Sequence, residues 1–253
     1  MSNRENVIAV GDWHVPFHDK EALNCLFRLL KEQQPDEIVL GGNINDCSMF
    51  SKHPKKREVA LAFKTAREER EHFFPLAEKL RDENPNAKIT YIGSQCHEGW
   101  LEMWAAADPI LVDDPNYLIP NWFKLKDFGI EFVEEDYVKN GFVFTHGTCC
   151  RNSSGASAKQ EYEYHGCNGA SFHVHRLGSY YKTVHHKPFV WFECGCMCQR
   201  QAWYRLKGKK ARMDWQQGFL SIDFMDEVFS GQLIPVVRDT KDKPKIFYNG
   251  EVY

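Results

Sequence analysis

No apolar run in this sequence approaches the roughly 20 residues that a bilayer span requires, so no membrane-crossing helix is expected. The opening Met1-Ser2-Asn3-Arg4-Glu5-Asn6 also lacks a long hydrophobic region, and the expected setting is soluble and cytoplasmic. Basic charge is not in excess: 32 Lys and Arg face 35 Asp and Glu, giving a formal net charge of -3. That balance argues against a broad basic surface, so any contact with nucleic acid must come from a local patch or through metal ions. Linkers, internal repeats and low-complexity tracts are missing, which leaves no seam at which to divide the chain. The Cys-x-x-Cys turn of zinc knuckles and ribbons is missing as well. The nine cysteines are an odd number in a chain large enough to need no disulfide staples, and reduced thiols are expected.

What is present is 43% hydrophobic content over 253 residues, enough to bury a full core as one domain spanning 1–253. Val7-Ile8-Ala9-Val10 reads as a buried strand that stops at Gly11 and presents Asp12-Trp13-His14. In an extended chain Asp12 and His14 point to the same side, at the carboxyl edge of the sheet. Asp19 caps a helix whose apolar face is Ala22, Leu23, Leu26, Phe27 and Leu30, and Pro35 ends it. Glu37 to Gly42 is a second buried strand, so the first crossover is parallel and right-handed. The periodicity predicts one long helix from Lys56 to Arg81 with a kink at Pro75. Lys88 to Gly93 is a third strand, Glu98 to Ala107 a short helix, and Pro109 to Asp127 an irregular excursion. In the second half, aromatic and β-branched runs at 131–133, 142–145, 179–185, 189–194 and 219–224 read as short strands. The implied fold class is α/β, with two packed mixed β-sheets flanked by helices and loops gathered at one edge.

Ligand-like residues sit just after the predicted strands. They are Asp12-x-His14, Gly42-Asn43-x-x-Asp46, Cys96-His97-Glu98, His146-Gly147 and His173-x-His175. Their order resembles the calcineurin-like metallophosphoesterase signature, normally D-x-H, G-D-x-x-D, G-N-H-E/D, H and G-H-x-H. Arg176, Tyr180-Tyr181, Cys194-Gly195-Cys196 and Trp215-Gln216-Gln217-Gly218 further resemble a subgroup found in bacteriophages and bacteria, for which the setting is the host cytoplasm. The resemblance implies a four-layer sandwich and a phosphoesterase that hydrolyses mono- or diesters by attack of a metal-activated water. Nucleic acids or nucleotides are the implied substrates. It also implies that Asp12, His14 and His175 hold one ion, that position 43 bridges, and that His146, His173 and position 96 hold a second. His97 is the implied acid for the leaving group, Asp46 its orienting carboxylate, and Arg176 a contact to a phosphate oxygen.

Three positions depart from that signature. Asn43 replaces the bridging aspartate with a neutral amide, a poor bridge between two cations. Cys96 replaces asparagine and, as a soft thiolate, favours zinc or iron, with manganese next and magnesium least suited. Phe172 stands where a glycine usually precedes the first histidine. One or two divalent ions are therefore expected. The rival reading is a degenerate member that binds a phosphorylated ligand or a protein partner without turnover. Cys194, Cys196 and Cys198 alternate along a predicted strand and would face one way, with a zinc site joined by Cys149, Cys150 or Cys167 as the minor alternative to plain core packing. Lys52 with Lys55-Lys56-Arg57, and the run from Arg205 to Arg212 flanked by Trp203, Tyr204 and Trp215, are candidate polyanion contacts or solvated loops. His18, His53, His72, His165, His185 and His186 lack motif context.

Overall fold

Val7 to Val10 are fully buried because the strand they form runs through the middle of a sheet covered on both faces. The computed structural model describes residues 4–52, 62–200 and 214–253. The first half runs β1 (Arg4–Val10), α1 (Lys20–Gln33), β2 (Glu37–Leu40), α2 (Ala66–Glu71), α3 (Phe74–Glu83), β3 (Lys88–Ile92), α4 (Glu98–Ala106) and α5 (Ile119–Trp122). The second runs β4 (Ile130–Val133), β5 (Tyr137–Lys139), β6 (Phe142–Thr145), α6 (Ala156–His165), β7 (Gly169–Ser171), β8 (Leu177–Val184), β9 (Lys187–Cys194), β10 (Gly218–Met225), β11 (Val228–Arg238), β12 (Pro244–Tyr248) and β13 (Glu251–Val252).

The strands form two mixed sheets, of eight in the order β13-β12-β11-β10-β1-β2-β3-β4 and of five in the order β5-β6-β7-β9-β8. Alternating side chains of β1 divide between two cores, as period-two geometry requires. Ile8 and Val10 face outward to α1 and α3, against Leu26, Phe27, Leu30, Ala77 and Leu80. Val7 and Ala9 face inward and pack with Phe142, Phe144, Phe172, Phe192 and Ile222 between the sheets. A third patch, Val143, Ala158 and Trp191, seats α6 on the far face of the five-stranded sheet. The layers are thus helix, sheet, sheet and helix, as expected. Each large apolar side chain buried there contributes about 1.5–3 kcal/mol.

Asp19 caps α1 by accepting from the Ala22 amide at 3.1 Å, and Gln34 in the left-handed region ends the helix before Pro35. The single helix expected from Lys56 to Arg81 is corrected to α2 and α3: Pro75 lies in the first turn of α3, where its missing N–H costs nothing, so it starts a helix instead of kinking one. Positions 56–61 of that expectation, with His53, Lys55 and Arg57, lie outside the described residues. So do Trp203, Tyr204 and the basic run from Arg205 to Arg212. The excursion after Pro109 carries α5 between two 3-10 turns. The three cysteines do not face one way, because Gly195 at φ 73° turns the chain. Cys194 stays in the inter-sheet core, while Cys196 and Cys198 pack with Phe17 at its edge. No helix among the described residues is long and apolar enough to cross a membrane.

Position in the fold matters most at one edge. β1, β2 and β3 are parallel in the larger sheet, and β6, β7 and β9 are parallel in the smaller one. The segments that follow β1, β2, β3, β6 and β7 carry the five ligand-like clusters, and those strand ends open on the same side of the sandwich.

Candidate metal centre

The side chains from those loops meet in two adjoining groups. In the first, Asp12 Oδ1 lies 3.4 Å from His14 Nε2 and 3.2 Å from His175 Nε2, and the two nitrogens are 3.1 Å apart. In the second, Cys96 Sγ is 3.2 Å from His146 Nε2 and 3.6 Å from His173 Nδ1. Asn43 joins them: its Nδ2 donates to Asp12 Oδ1 at 3.1 Å, and its Oδ1 accepts from Ser94 Oγ at 2.7 Å with Cys96 Sγ 3.4 Å away. Asp12, His14, Asn43, His146 and His175 are all at most 6% exposed.

The donor set fits divalent ions. Ligands of a four-coordinate ion with bonds of about 2.0–2.3 Å stand roughly 3.3–3.7 Å apart, close to the spacing in both groups. Two histidines are also preset as ligands. His146 Nδ1 faces the Gly41 carbonyl at 2.8 Å and His14 Nδ1 faces Asp46 Oδ2 at 3.0 Å, so each ring spends one N–H there and turns Nε2 to its group.

Strain marks the same residues. Asp12, His14, Asn43, His97, His173 and His175 all have φ between 42° and 68°, the left-handed region that costs non-glycine residues of order 1–3 kcal/mol. The expectation of an extended Asp12-x-His14 is corrected by these angles. The chain coils after Val10, and tertiary contacts rather than strand alternation bring the two side chains together. Phe172 keeps its place because small residues make room for it. A Cβ on Gly41 would stand 2.0 Å from the Phe172 ring, and one on Gly11 2.6 Å from it. Both sites are therefore reserved for glycine, and the ring belongs to the core between the sheets.

Electrostatics follow from burial and pairing. Burial pushes the Asp12 carboxyl up, but His175 and His14 outweigh it and hold Asp12 well below the usual carboxylate range. Asp46 is lowered in the same way, with His97 and His14 overcoming burial. His14, between the two carboxylates, is raised to about 10 against the downward pull of burial. Burial takes His175 down to about 4 despite Asp12.

His97 lies beside the first group, its Nδ1 3.0 Å from the Asp46 carbonyl oxygen and 3.3 Å from Asp46 Oδ2. Its ring meets His14 edge-on at 4.4 Å and leans on Trp100 at 4.3 Å. Arg176 is further round, with Nη1 donating to the Arg151 carbonyl at 2.7 Å and Nε 3.7 Å from Asp214.

No family model matches the chain. It is 25% identical over 251 residues to the gene 54 protein of Mycobacterium phage L5, covering 94% of this chain and 95% of that protein. It is 25% identical over 264 residues to the gene 54 protein of Mycobacterium phage D29, at the same coverage. The chain is a distant homologue of these phage proteins. Among solved structures it is similar to vacuolar protein sorting 29 from Chaetomium thermophilum, with a TM-score of 0.48 and 10% identity over 98% of this chain and 92% of that one. Vacuolar protein sorting 29 from Cryptosporidium parvum gives 0.43 and 14% over 99% and 95%.

Two roles in this chain escape sequence reading. Glu98 is fully buried and accepts from the Asn43 amide at 2.9 Å, the Asn45 amide at 3.0 Å and Tyr91 Oη at 2.5 Å, and Ser94 Oγ touches it. It is the clamp that holds the coiled loop after β2. Glu98→Gln exchanges an acceptor for an NH2 group facing those donors and is expected to lower unfolding free energy by about 1–3 kcal/mol, read as a shifted denaturant midpoint at unchanged slope. The second is that of His18. Burial and Lys20 lower it to about 4, below its ordinary unfolded value, and its Nδ1 has no hydrogen-bond partner among the described residues. The unfolded chain binds the proton first, so stability is full above pH 6.5 and falls as pH drops toward 4, by about 3 kcal/mol at most. His18→Phe is expected to flatten that part of the pH–stability curve.

Proposed function

We propose that this protein is a metal-dependent phosphoesterase acting on phosphomono- or diesters, with nucleotides or nucleic acids as the substrate class. The observation that carries the reading is the meeting of Asp12, His14 and His175 with Cys96, His146 and His173 on either side of Asn43, from five loops of two sheets. Two divalent ions held there would activate water and neutralise charge on the phosphoryl oxygens. Asp12, His14 and His175 would hold one, and Cys96, His146 and His173 the other. The protein's own part is to place and protonate. His97 gives a proton from Nε2 to the departing alkoxide oxygen, because Nδ1 is turned to Asp46. Asp46 keeps that ring in register, and Arg176 supplies a guanidinium for a non-bridging phosphate oxygen.

One observation favours the rival, a phosphate-binding or protein-binding module without turnover. Both ends of the Asn43 amide are used inside the site, on Asp12 and Ser94. Turnover of bis(p-nitrophenyl) phosphate with manganese, zinc, iron(II) and magnesium, alongside metal analysis, separates the two. Hydrolysis that requires metal and disappears in His175→Ala supports the esterase. Metal binding with no hydrolysis of any ester supports the module.

A further inference from the structure

The proposed reaction uses only one nitrogen of His175. Its Nε2 faces Asp12 and His14, while its Nδ1 lies 3.6 Å from Cys198 Sγ. Cys196 Sγ completes a second trio: the three donor atoms lie within 4.8 Å of one another. The topology brings them there. Cys196 and Cys198 follow β9, the third of the parallel strands of the smaller sheet, so they reach the same edge as the other ligand loops. Gly195 turns this pair away from Cys194, and backbone bridges from Cys196 to Gln217 and from Cys198 to His18 fix it in place.

We infer that His175 Nδ1, Cys196 Sγ and Cys198 Sγ form a closed site for a soft cation of the zinc(II) class, joined to the Asp12 group through the His175 ring. The 3.6 Å between Cys198 and His175 matches the S-to-N edge of a tetrahedral zinc site, about 3.6 Å for bonds near 2.3 and 2.05 Å. The Gln216 carbonyl oxygen stands 3.7 Å from Cys196 Sγ as an oxygen beside the trio. Softness comes from the two sulfurs, which select zinc over magnesium or manganese. Their two negative charges, once the thiol protons leave on loading, match a dication; when an ion also sits on Nε2, the His175 ring gives up its one N–H as well and bridges as imidazolate. Closure comes from burial: Cys196 and Cys198 are 1% and 0% exposed, Phe17, Phe63 and Trp215 pack around them, and the Trp215 ring meets His175 at 4.3 Å. Among the described residues no face is left for a substrate, so the ion would set the orientation and basicity of His175 from behind instead of doing chemistry itself.

The inference shares His175 with the proposed reaction but does not depend on turnover. Cobalt(II) is loaded into the full chain under reducing conditions, in a Cys149→Ser, Cys150→Ser background that removes the thiols outside both sites nearest the surface. The sulfur-to-cobalt charge-transfer band is read with cobalt per chain, and zinc is then added to displace it. Cys96→Ser is expected to lose about a third of the band and keep the rest, because two of the three ligating sulfurs remain. Cys196→Ser with Cys198→Ser is expected to lose about two-thirds of the band and one cobalt per chain. A band abolished by Cys96→Ser alone overturns the inference, and so does one unchanged in the double variant. The first test leaves Cys196 and Cys198 intact, so it stands even where the double variant misfolds. An intact band with no ester hydrolysis would remove the phosphoesterase reading and leave this site in place.

Discussion

His97→Ala is expected to lower kcat on a dinucleotide by about 10²- to 10⁴-fold while leaving bound metal unchanged, the range typical of losing a positioned general acid. The imidazole is held on three sides, by the Asp46 carbonyl and carboxylate at Nδ1, by the edge of His14 and by the face of Trp100. Only a ring so fixed presents the same Nε2 to every substrate. Asp46 stays ionised because His97 and His14 hold its carboxyl low in spite of burial, so the orienting charge persists through the neutral range. The loss should shrink on bis(p-nitrophenyl) phosphate, whose phenolate departs without a proton, and this leaving-group dependence identifies an acid. His14, Asp46 and His97 also lie close enough together to ligate an ion. Loss of metal from His97→Ala, with equal rate losses on both esters, would make His97 a ligand and refute the acid role.

Much of this arrangement was legible in the sequence because each ligand cluster sits where a strand ends, and strands announce themselves by apolar runs. Val7 to Val10, Glu37 to Leu40 and Phe142 to Thr145 are buried along their length, and uninterrupted hydrophobicity marks such strands well. β7 was not legible: Gly169-Ala170-Ser171 is small and polar because the face of Trp191 leaves no room for a Cβ at Gly169. β11 was not legible either: exposed and half-buried positions alternate along most of it, and Pro235 interrupts its one apolar run, Leu233 to Val237. α6 has almost no amphipathic signal, since it is pinned by Glu193 accepting from the Gly155 and Ala158 amides instead of by an apolar stripe. The site shows the same divide. Motif spacing marks which residues are candidate ligands. Nothing local marks Glu98 as the clamp of the Asn43 loop or turns Cys198 toward His175, because those relations exist only once separate loops meet.

Asn43→Asp is expected to tighten binding of the second ion by about 10²- to 10³-fold and to destabilise the metal-free protein. Asn43 is 1% exposed and its Nδ2 donates to Asp12 at 3.1 Å, so the substitution replaces a hydrogen bond with two carboxylates in contact. Two unit charges 4 Å apart interact by about 4 kcal/mol at an effective dielectric near 20. Without metal that term is repulsive. With an ion on each side it changes sign, since each cation gains an anion that the amide does not supply. The two effects must therefore appear together, as a melting temperature lowered in EDTA and raised with zinc or manganese. For a chain of this size each kcal/mol moves it by about 2–4 °C. Calorimetric titration of the second ion measures the affinity directly. If the variant melts lower in EDTA but binds the second ion no more tightly, position 43 does not lie between two cations. The Cys96, His146 and His173 group would then have to be a separate mononuclear site, coupled to Asp12 only through the hydrogen bond that the asparagine provides.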